Sequence, residues 1–272
     1  IRWLLAFYGA TPVRCVFGTL KSSNTTRLGR PQALRSVRVA SIAAYHQALT
    51  RAGVLLDQSE RQRRIQQLVE REAKRVVGVI VPEMLTHGLL EEVTYLTESP
   101  MAMTGTFDPK YLELPREVLL ASMAKHQRVF AVEAKGELLP HCIAILEGAP
   151  GSPVVVRATI ERILNARLAD SLLFWKKDQG RSLDYMVTDL KGVIFHEKFG
   201  TMLDKTHRLI ALTQTLSDLW GLTLEEREQL RVACSWAKAD LVSTMVKEFP
   251  TLQLWENITF SSLEVLSLNH KA

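Results

Sequence analysis

The residue types best suited to binding a metal ion come closest together between His196 and His207. His196 precedes Glu197, and Asp204 and His207 stand three residues apart, on one face of a predicted helix. Imidazole and carboxylate groups are common ligands of divalent metals. With Asp240 added, the set would suit a metal-dependent phosphohydrolase. The alternative interpretation is a cluster of surface salt bridges, because no fourth ligand lies at a persuasive spacing.

Other acidic and basic side chains give no convincing catalytic pair. Asp170 and Asp240 lie inside amphipathic helical patterns, where each could pair with a nearby basic residue. His126 and His141 fall near the ends of predicted elements, a common place for hydrogen-bonded structural histidines. The sequence contains no Walker P-loop, GxGxxG, GxSxG or HExxH motif. We therefore predict no catalytic residue, no metal ligand and no resident cofactor in this chain.

The first part of the chain must supply strands as well as helices. Apolar runs at 1–8 and 12–17 predict two strands, and the polar stretch 21–27 predicts a loop. Ser41 and Ser59 are placed to begin helices, and Gly53 to end the first of them. The stretches 128–133 and 137–146 flank Ala-Lys-Gly and predict a β-hairpin.

After about residue 150 the apolar period becomes helical. It predicts a helix over 154–177 that ends at Gly180, and Thr201 with Asp204 resembles a capping pair. Thr223 to Glu226 forms a capping box for a last helix that can run to Phe249. The predicted fold class is α+β. We expect a mixed module over residues 1–152, a helical module over 153–253 and a divergent tail over 254–272.

Charge is distributed unevenly along the chain. Residues 1–82 contain 14 Lys and Arg against 4 Asp and Glu, although the whole chain carries a formal charge of only +5. Such asymmetry favours contact between the basic part and a polyanion, although a solvated basic face would look the same. Aromatic residues make up only 7% of the chain, so we expect it to bind a polyanion through contacts of Lys and Arg with phosphate groups. Such binding would be salt-sensitive.

Cysteine content and hydropathy narrow the class of protein. The three cysteines are far apart and show no CxxC spacing, which argues against a disulfide framework or a zinc site. No run reaches the roughly 18 apolar residues of a membrane span, and the first residues do not resemble a secretory signal. The chain begins with Ile, and we expect it to be a piece of a longer protein.

Several ordered strings resemble the glycyl-tRNA synthetase β subunit of the two-subunit, bacterial type. They are FDPKYLELPREVL from Phe107, MAKHQ from Met123, LLP from Leu138, ARLAD from Ala166, LKGVIF from Leu190, EKFGT from Glu197, AKADL from Ala237 and EFPTLQ from Glu248. Their order and spacing also match that family. The resemblance covers residues 1–253.

This resemblance implies a module similar to the B3/B4 domain of phenylalanyl-tRNA synthetase, followed by one similar to HD phosphohydrolases. It also implies that glycine is activated with ATP on a separate α subunit, where magnesium is also bound. The β subunit, in contrast, would bind glycine tRNA. The α subunit and glycine tRNA would both be partners of this chain. The chain would be located in the cytoplasm or, in a plant, in an organelle. For phosphate contacts we select five basic residues: Arg27, Arg30, Lys191, Lys198 and Arg208.

The chain also departs from the family pattern. It has no His-Asp dipeptide, which working HD phosphohydrolases need for their metal, and Thr25–Arg30 lacks the usual Gly-His-Arg order. After Gln253 the family would continue with a Gly-Met-Gly-type stretch, but Leu254 stands there instead. We expect a fragment without the N-terminal segment and the C-terminal anticodon-binding part, inactive alone. The rival hypotheses are the phosphohydrolase and a degenerate or misread chain without function.

Overall fold

The computed structural model describes residues 3–28, 35–86, 88–255 and 259. Two compact units make up the chain. Unit 1 comprises Ile1–Gly105, Arg128–Glu137 and His141–Ile160, and unit 2 comprises Thr106–Gln127, Leu138–Pro140 and Glu161–Ala272. The predicted α+β class is confirmed. The predicted modules and their boundary at residue 152 stay predictions, and most of the predicted tail, 254–272, lies outside the described residues.

The strands of the described residues are short, apart from three near the middle of the chain. They are β1 (Leu4–Leu5), β2 (Phe7–Tyr8), β3 (Thr11–Pro12), β4 (Val16–Phe17), β5 (Leu20–Ser23), β6 (Thr25–Leu28), β7 (Arg35–Arg38), β8 (Val79–Ile80), β9 (Pro100–Thr106), β10 (Val129–Ala134), β11 (Glu137–Glu147), β12 (Ile194–His196) and β13 (Gly200–Thr201). The largest sheet has the order β8-β10-β11-β9. The predicted hairpin is thus present as β10 and β11.

The α-helices range from one turn to more than seven. They are α1 (Ile42–Arg51), α2 (Gln58–Arg75), α3 (Pro82–Thr86), α4 (Leu89–Leu96), α5 (Arg116–Ser122), α6 (Pro153–Gln179), α7 (Leu183–Asp189), α8 (Met202–Leu219), α9 (Leu224–Trp236) and α10 (Thr244–Glu248). A π-helical turn at Met123–Gln127 extends α5. No helix of the described residues is long and apolar enough to cross a membrane.

The predicted loop at 21–27 is wrong. All of these residues except Asn24 lie in β5 and β6, and β6 pairs with β7 in antiparallel register, with Thr26 opposite Val37. Thr26 is buried although it is polar. The strand forms because β7, about ten residues later, supplies the hydrogen-bonding partners that a local sequence window does not contain.

The core of unit 1 forms around α2. Its apolar face buries Ile65, Leu68 and Val69, as the helical period predicts. The helix begins two residues earlier than predicted, because the carboxylate of Asp57, rather than the Ser59 hydroxyl, accepts the capping hydrogen bond, from the Glu60 N–H at 2.7 Å. Arg61 lies in the same core, and its Nε donates to the Thr94 carbonyl oxygen at 2.7 Å.

Unit 2 is mainly helical but not wholly so. α6 spans the predicted helix, and its Leu164 and Leu168 are completely buried. The predicted last helix to Phe249 is wrong, because α9 ends at Trp236 and α10 begins separately at Thr244. Ser243 caps the new helix by accepting from the Val246 N–H at 2.9 Å, and the Asp178 carboxylate accepts from the N–H groups of Thr244 and Met245. The short hairpin β12–β13 is a second departure from an all-helical module.

Candidate nucleic-acid interface

The five predicted phosphate-binding residues fall into two groups and one position that is not described. Arg27 is exposed on β6 in unit 1. Lys191, Lys198 and Arg208 are exposed in unit 2. Lys191 lies just before β12, Lys198 in the turn between β12 and β13, and Arg208 in α8. Arg30 lies outside the described residues. The structure therefore brings three of the five onto one local substructure, Leu190–Arg208, which we call the basic hairpin.

Backbone hydrogen bonds hold the basic hairpin together. The N–H of Met202 donates to the Val193 carbonyl oxygen at 2.7 Å, which closes the base of the hairpin. At the tip, the Phe199 N–H donates to the His196 carbonyl oxygen at 3.0 Å. The imidazole Nδ1 of His196 accepts from the Lys198 N–H at 3.1 Å. The backbone of the turn is thus fixed by its own hydrogen bonds before any ligand binds.

A capping box joins the hairpin to α8, as the sequence predicts. The Asp204 carboxylate accepts from the Thr201 N–H at 2.7 Å and from its hydroxyl at 2.8 Å, and the Asp204 N–H donates back to that hydroxyl at 3.2 Å. The hydrogen bonds from Thr201 lower the pKa of Asp204 below its ordinary value. A charged carboxylate at a helix N-terminus is also favoured by the helix dipole.

The cations of the basic hairpin are open to solvent. None of the salt bridges among the described residues involves Lys191, Lys198 or Arg208. Lys205 of the same segment is half-buried, and its Nζ lies 4.2 Å from the centre of the Phe195 ring. Exposed cations that form no salt bridge are accessible to an external anion, so this surface suits phosphate groups.

Sequence reasoning missed the aromatic part of this surface. Phe195 and Phe199 are both exposed, and the ring centre of Phe199 is 5.1 Å from that of His196. The signal that could have found them is local, because the two phenylalanines lie on either side of His196, Glu197 and Lys198. An exposed ring flanked by cations is one arrangement by which proteins hold nucleotides.

The metal-site hypothesis for His196, Asp204, His207 and Asp240 is not supported. Asp204 is occupied by its capping box, and His196 accepts a hydrogen bond within its own turn. Asp240 is fully buried, and its Oδ2 accepts from the Leu254 N–H at 2.6 Å. Within the part of the chain that the structure describes, no three His, Cys, Asp or Glu side chains are grouped to hold a metal ion.

A small cleft in unit 2 collects several of the remaining candidates. It has a volume of about 70 Å³ and is lined by His126, Arg167, Asp170, Ser171, Phe174, Glu248 and Phe249. His126 Nε2 is 3.1 Å from Glu248, and Asp170 is 3.8 Å from Arg167, the ion pair that the sequence suggested as an alternative. Burial lowers the pKa of His126, although Glu248 opposes that shift. Each charged group here has a partner, so the cleft is well explained as structure.

Comparison with known proteins decides the family. The family model described as glycyl-tRNA synthetase beta subunit matches residues 1–254. The chain belongs to this family. It is 42% identical over 254 residues to the glycine–tRNA ligase beta subunit of Syntrophomonas wolfei, 40% identical over 256 residues to that of Moorella thermoacetica, and 37% identical over 263 residues to that of Gloeothece citriformis.

Each of these alignments covers 93% of this chain but only 36% of the relative. The chain thus spans about a third of the length of the curated relatives that it matches. The predicted resemblance to the synthetase β subunit is confirmed. The family membership covers both units, including the whole of the basic hairpin.

Proposed function

We propose that this chain is part of a glycine–tRNA ligase and supports tRNA binding and association with an α subunit during formation of glycyl-tRNA. The observation that carries the proposal is membership of the β-subunit family over residues 1–254. A subunit named beta implies a companion chain, and the ligase name implies glycine and tRNA as substrates. We place ATP and magnesium on that companion chain and assign no catalytic residue to this one. The complex would work in the cytoplasm or in a plant organelle.

We further propose that the phosphate contacts come from Arg27, Arg30, Lys191, Lys198 and Arg208. The solvent-exposed charges of the basic hairpin support this assignment, as does the excess of basic residues in 1–82. Each Lys or Arg that neutralises a phosphate releases condensed counterions. Affinity should therefore fall linearly on a double-logarithmic salt plot, with a slope of about −0.7 to −0.9 per contact.

The test is binding of fluorescently labelled glycine tRNA to the 272-residue chain across a salt series, with and without the α subunit. We expect salt-steep binding that strengthens when the α subunit is present. Replacing Lys191 and Arg208 together by Gln should reduce the steepness by about 1.4 to 1.8. Replacing Lys177 and Lys247, exposed lysines of α6 and α10, together by Gln is the matched control for loss of two surface charges. No binding under either condition would refute tRNA binding by this part of the protein.

A further inference from the structure

The basic hairpin exposes three large apolar side chains between its base at Ile194 and its tip at Phe199. Ile194 is 77% exposed and Phe199 is 60% exposed, and Phe195 follows at 44%. Large side chains held in water contribute little to folding, since the hydrophobic effect acts through surface removed from solvent. Single exposed apolar residues are ordinary, but three within six positions are a local concentration and mark a candidate contact region.

The backbone that carries these side chains has a defined shape. β12 and β13 pair with Ile194 opposite Thr201 and His196 opposite Gly200. The capping box continues that order directly into α8. A ring on a preformed turn loses little conformational entropy when a ligand packs against it, so binding energy is not spent on ordering the loop.

The surrounding charges indicate the chemistry of the ligand. Lys191, Lys198, Lys205 and Arg208 lie within the basic hairpin, against Glu197 and Asp204. Four basic residues against two acidic ones leave this segment with an excess of positive charge. Lys205 has its Nζ over the ring of Phe195, whereas no cation–π contact involves Phe199 among the described residues. The surface therefore combines an available aromatic ring with an excess of positive charge.

We infer that Phe199 is a stacking platform for an unpaired base of RNA, with Lys198 and Arg208 contacting the adjoining phosphates. The inference rests on the proposed function and specifies which kind of nucleotide this surface holds. An aromatic ring recognises the face of a base, and that face is accessible only where the base is not stacked in a helix. A duplex would engage the cations alone.

The test compares two probes on the 272-residue chain. One is a single-stranded RNA of ten nucleotides with 2-aminopurine at a central position, and the other is the blunt duplex of the same RNA. Phe199→Leu should weaken single-strand binding about 5- to 100-fold and leave duplex binding unchanged. Phe199→Tyr keeps the ring and should keep the affinity. Stacking should also quench 2-aminopurine fluorescence in the wild type and the Tyr variant but not in the Leu variant.

Trp220→Leu is the matched control. Trp220 lies in the same unit and is 65% exposed. It directly follows α8, whose 18 residues separate the two ends of the helix by ~27 Å, so Trp220 lies at the end away from the hairpin. This variant should bind both probes as the wild type does. A general effect of removing an exposed ring would instead weaken binding in both variants, and would overturn the assignment to Phe199.

The outcomes separate this inference from the proposed function. If glycine tRNA binds and Lys198→Gln weakens it while Phe199→Leu does not, the stacking platform is refuted and the proposed function stands. If neither RNA nor tRNA binds, the proposed function fails, and the inference fails with it. Equal losses for single strand and duplex in Phe199→Leu would also refute stacking, because a duplex offers no free base face.

Discussion

The α-carbon of Gly200 faces the carboxylate of Asp204 so closely that a Cβ atom at Gly200 would overlap Oδ2 and lie 3.1 Å from Cγ. Gly200 also has a φ of +79°, in the left-handed region that favours glycine. The position therefore requires glycine for two separate reasons. The capping box of α8 and the end of the basic hairpin both depend on it.

Gly200→Ala should destabilise unit 2, because the new methyl group displaces Asp204 from its cap and strains the backbone. We expect a loss of about 1–3 kcal/mol in the free energy of unfolding, measured by urea denaturation. Gly192→Ala is the control, since a Cβ at Gly192 meets no atom within 4 Å and its φ is not positive. Equal stability of the two variants would contradict this account of the cap.

Leu254→Gly should stabilise the protein. Leu254 has a φ of +72°, which costs a residue with a Cβ about 1–2 kcal/mol relative to glycine. The side chain is 53% exposed, so little packing is lost with it. We expect a higher midpoint of urea denaturation for the glycine variant. Leu254→Ala keeps the strain and should show no such gain, and a gain of the same size in both variants would rule out backbone strain as the cause.

Asp178→Ala should destabilise unit 2 more than a typical surface change does. The buried carboxylate accepts from the Thr244 N–H at 3.0 Å and from the Met245 N–H at 2.7 Å. Without it, two N–H groups at the start of α10 lose their acceptor, at a cost of about 2–4 kcal/mol. Asp170→Ala removes only a half-exposed ion pair at 3.8 Å and should cost less than about 0.5 kcal/mol. Thermal unfolding of both variants tests this difference.

Arg61→Met should destabilise unit 1 although it replaces a charge by an apolar side chain of similar length. Arg61 is 8% exposed and donates to the Thr94 and Leu55 carbonyl oxygens at 2.7 and 2.6 Å. Both carbonyls would lose their donor, and each loss costs about 1–3 kcal/mol of unfolding free energy. Arg63→Met, two residues along the same helix, changes an exposed side chain and should leave the unfolding free energy nearly unaltered. Similar losses in the two variants would contradict the proposed role of Arg61.

Asp240 should make stability depend on pH in the direction opposite to most carboxylates. Burial raises its pKa in the folded protein above the ordinary value of 3.8, although the hydrogen bond from Leu254 acts in the other direction. The protonated form is thus favoured by folding. The resulting stability is present below about pH 3.8 and is lost as the pH rises through the folded pKa.

Asp240→Asn should remove this dependence, since the amide does not ionise and can still accept from the Leu254 N–H. The difference in unfolding free energy between variant and wild type should shift in favour of the variant as the pH rises from about 3.8 to 7. Urea denaturation at several pH values measures that difference. A difference that stays constant with pH would show that Asp240 is ionised equally in both states.

Much of the local structure could be predicted because its causes lie within a few residues of one another. Ser41 begins α1, Thr201 and Thr223 begin α8 and α9 through capping boxes, and the turn at Lys135 and Gly136 joins β10 to β11. In each case the donor and acceptor, or the glycine, belong to one short window. Lys191, Lys198 and Arg208 are exposed in the structure, whereas their assignment to RNA phosphates stays a prediction.

The sequence by itself determined the family, the α+β class and these helix starts, since all three depend on ordered strings or on contacts between near neighbours. Only the tertiary structure decided that most of 21–27 forms strands, that α9 stops at Trp236, and that Asp178 accepts N–H groups at the start of α10 from 66 residues away. It also decided that Asp240 is buried, so that this carboxylate is not presented to a metal. The physical reason is that the role of a polar group depends on which hydrogen-bond partner lies next to it. Partners that are distant in sequence are brought close only by folding.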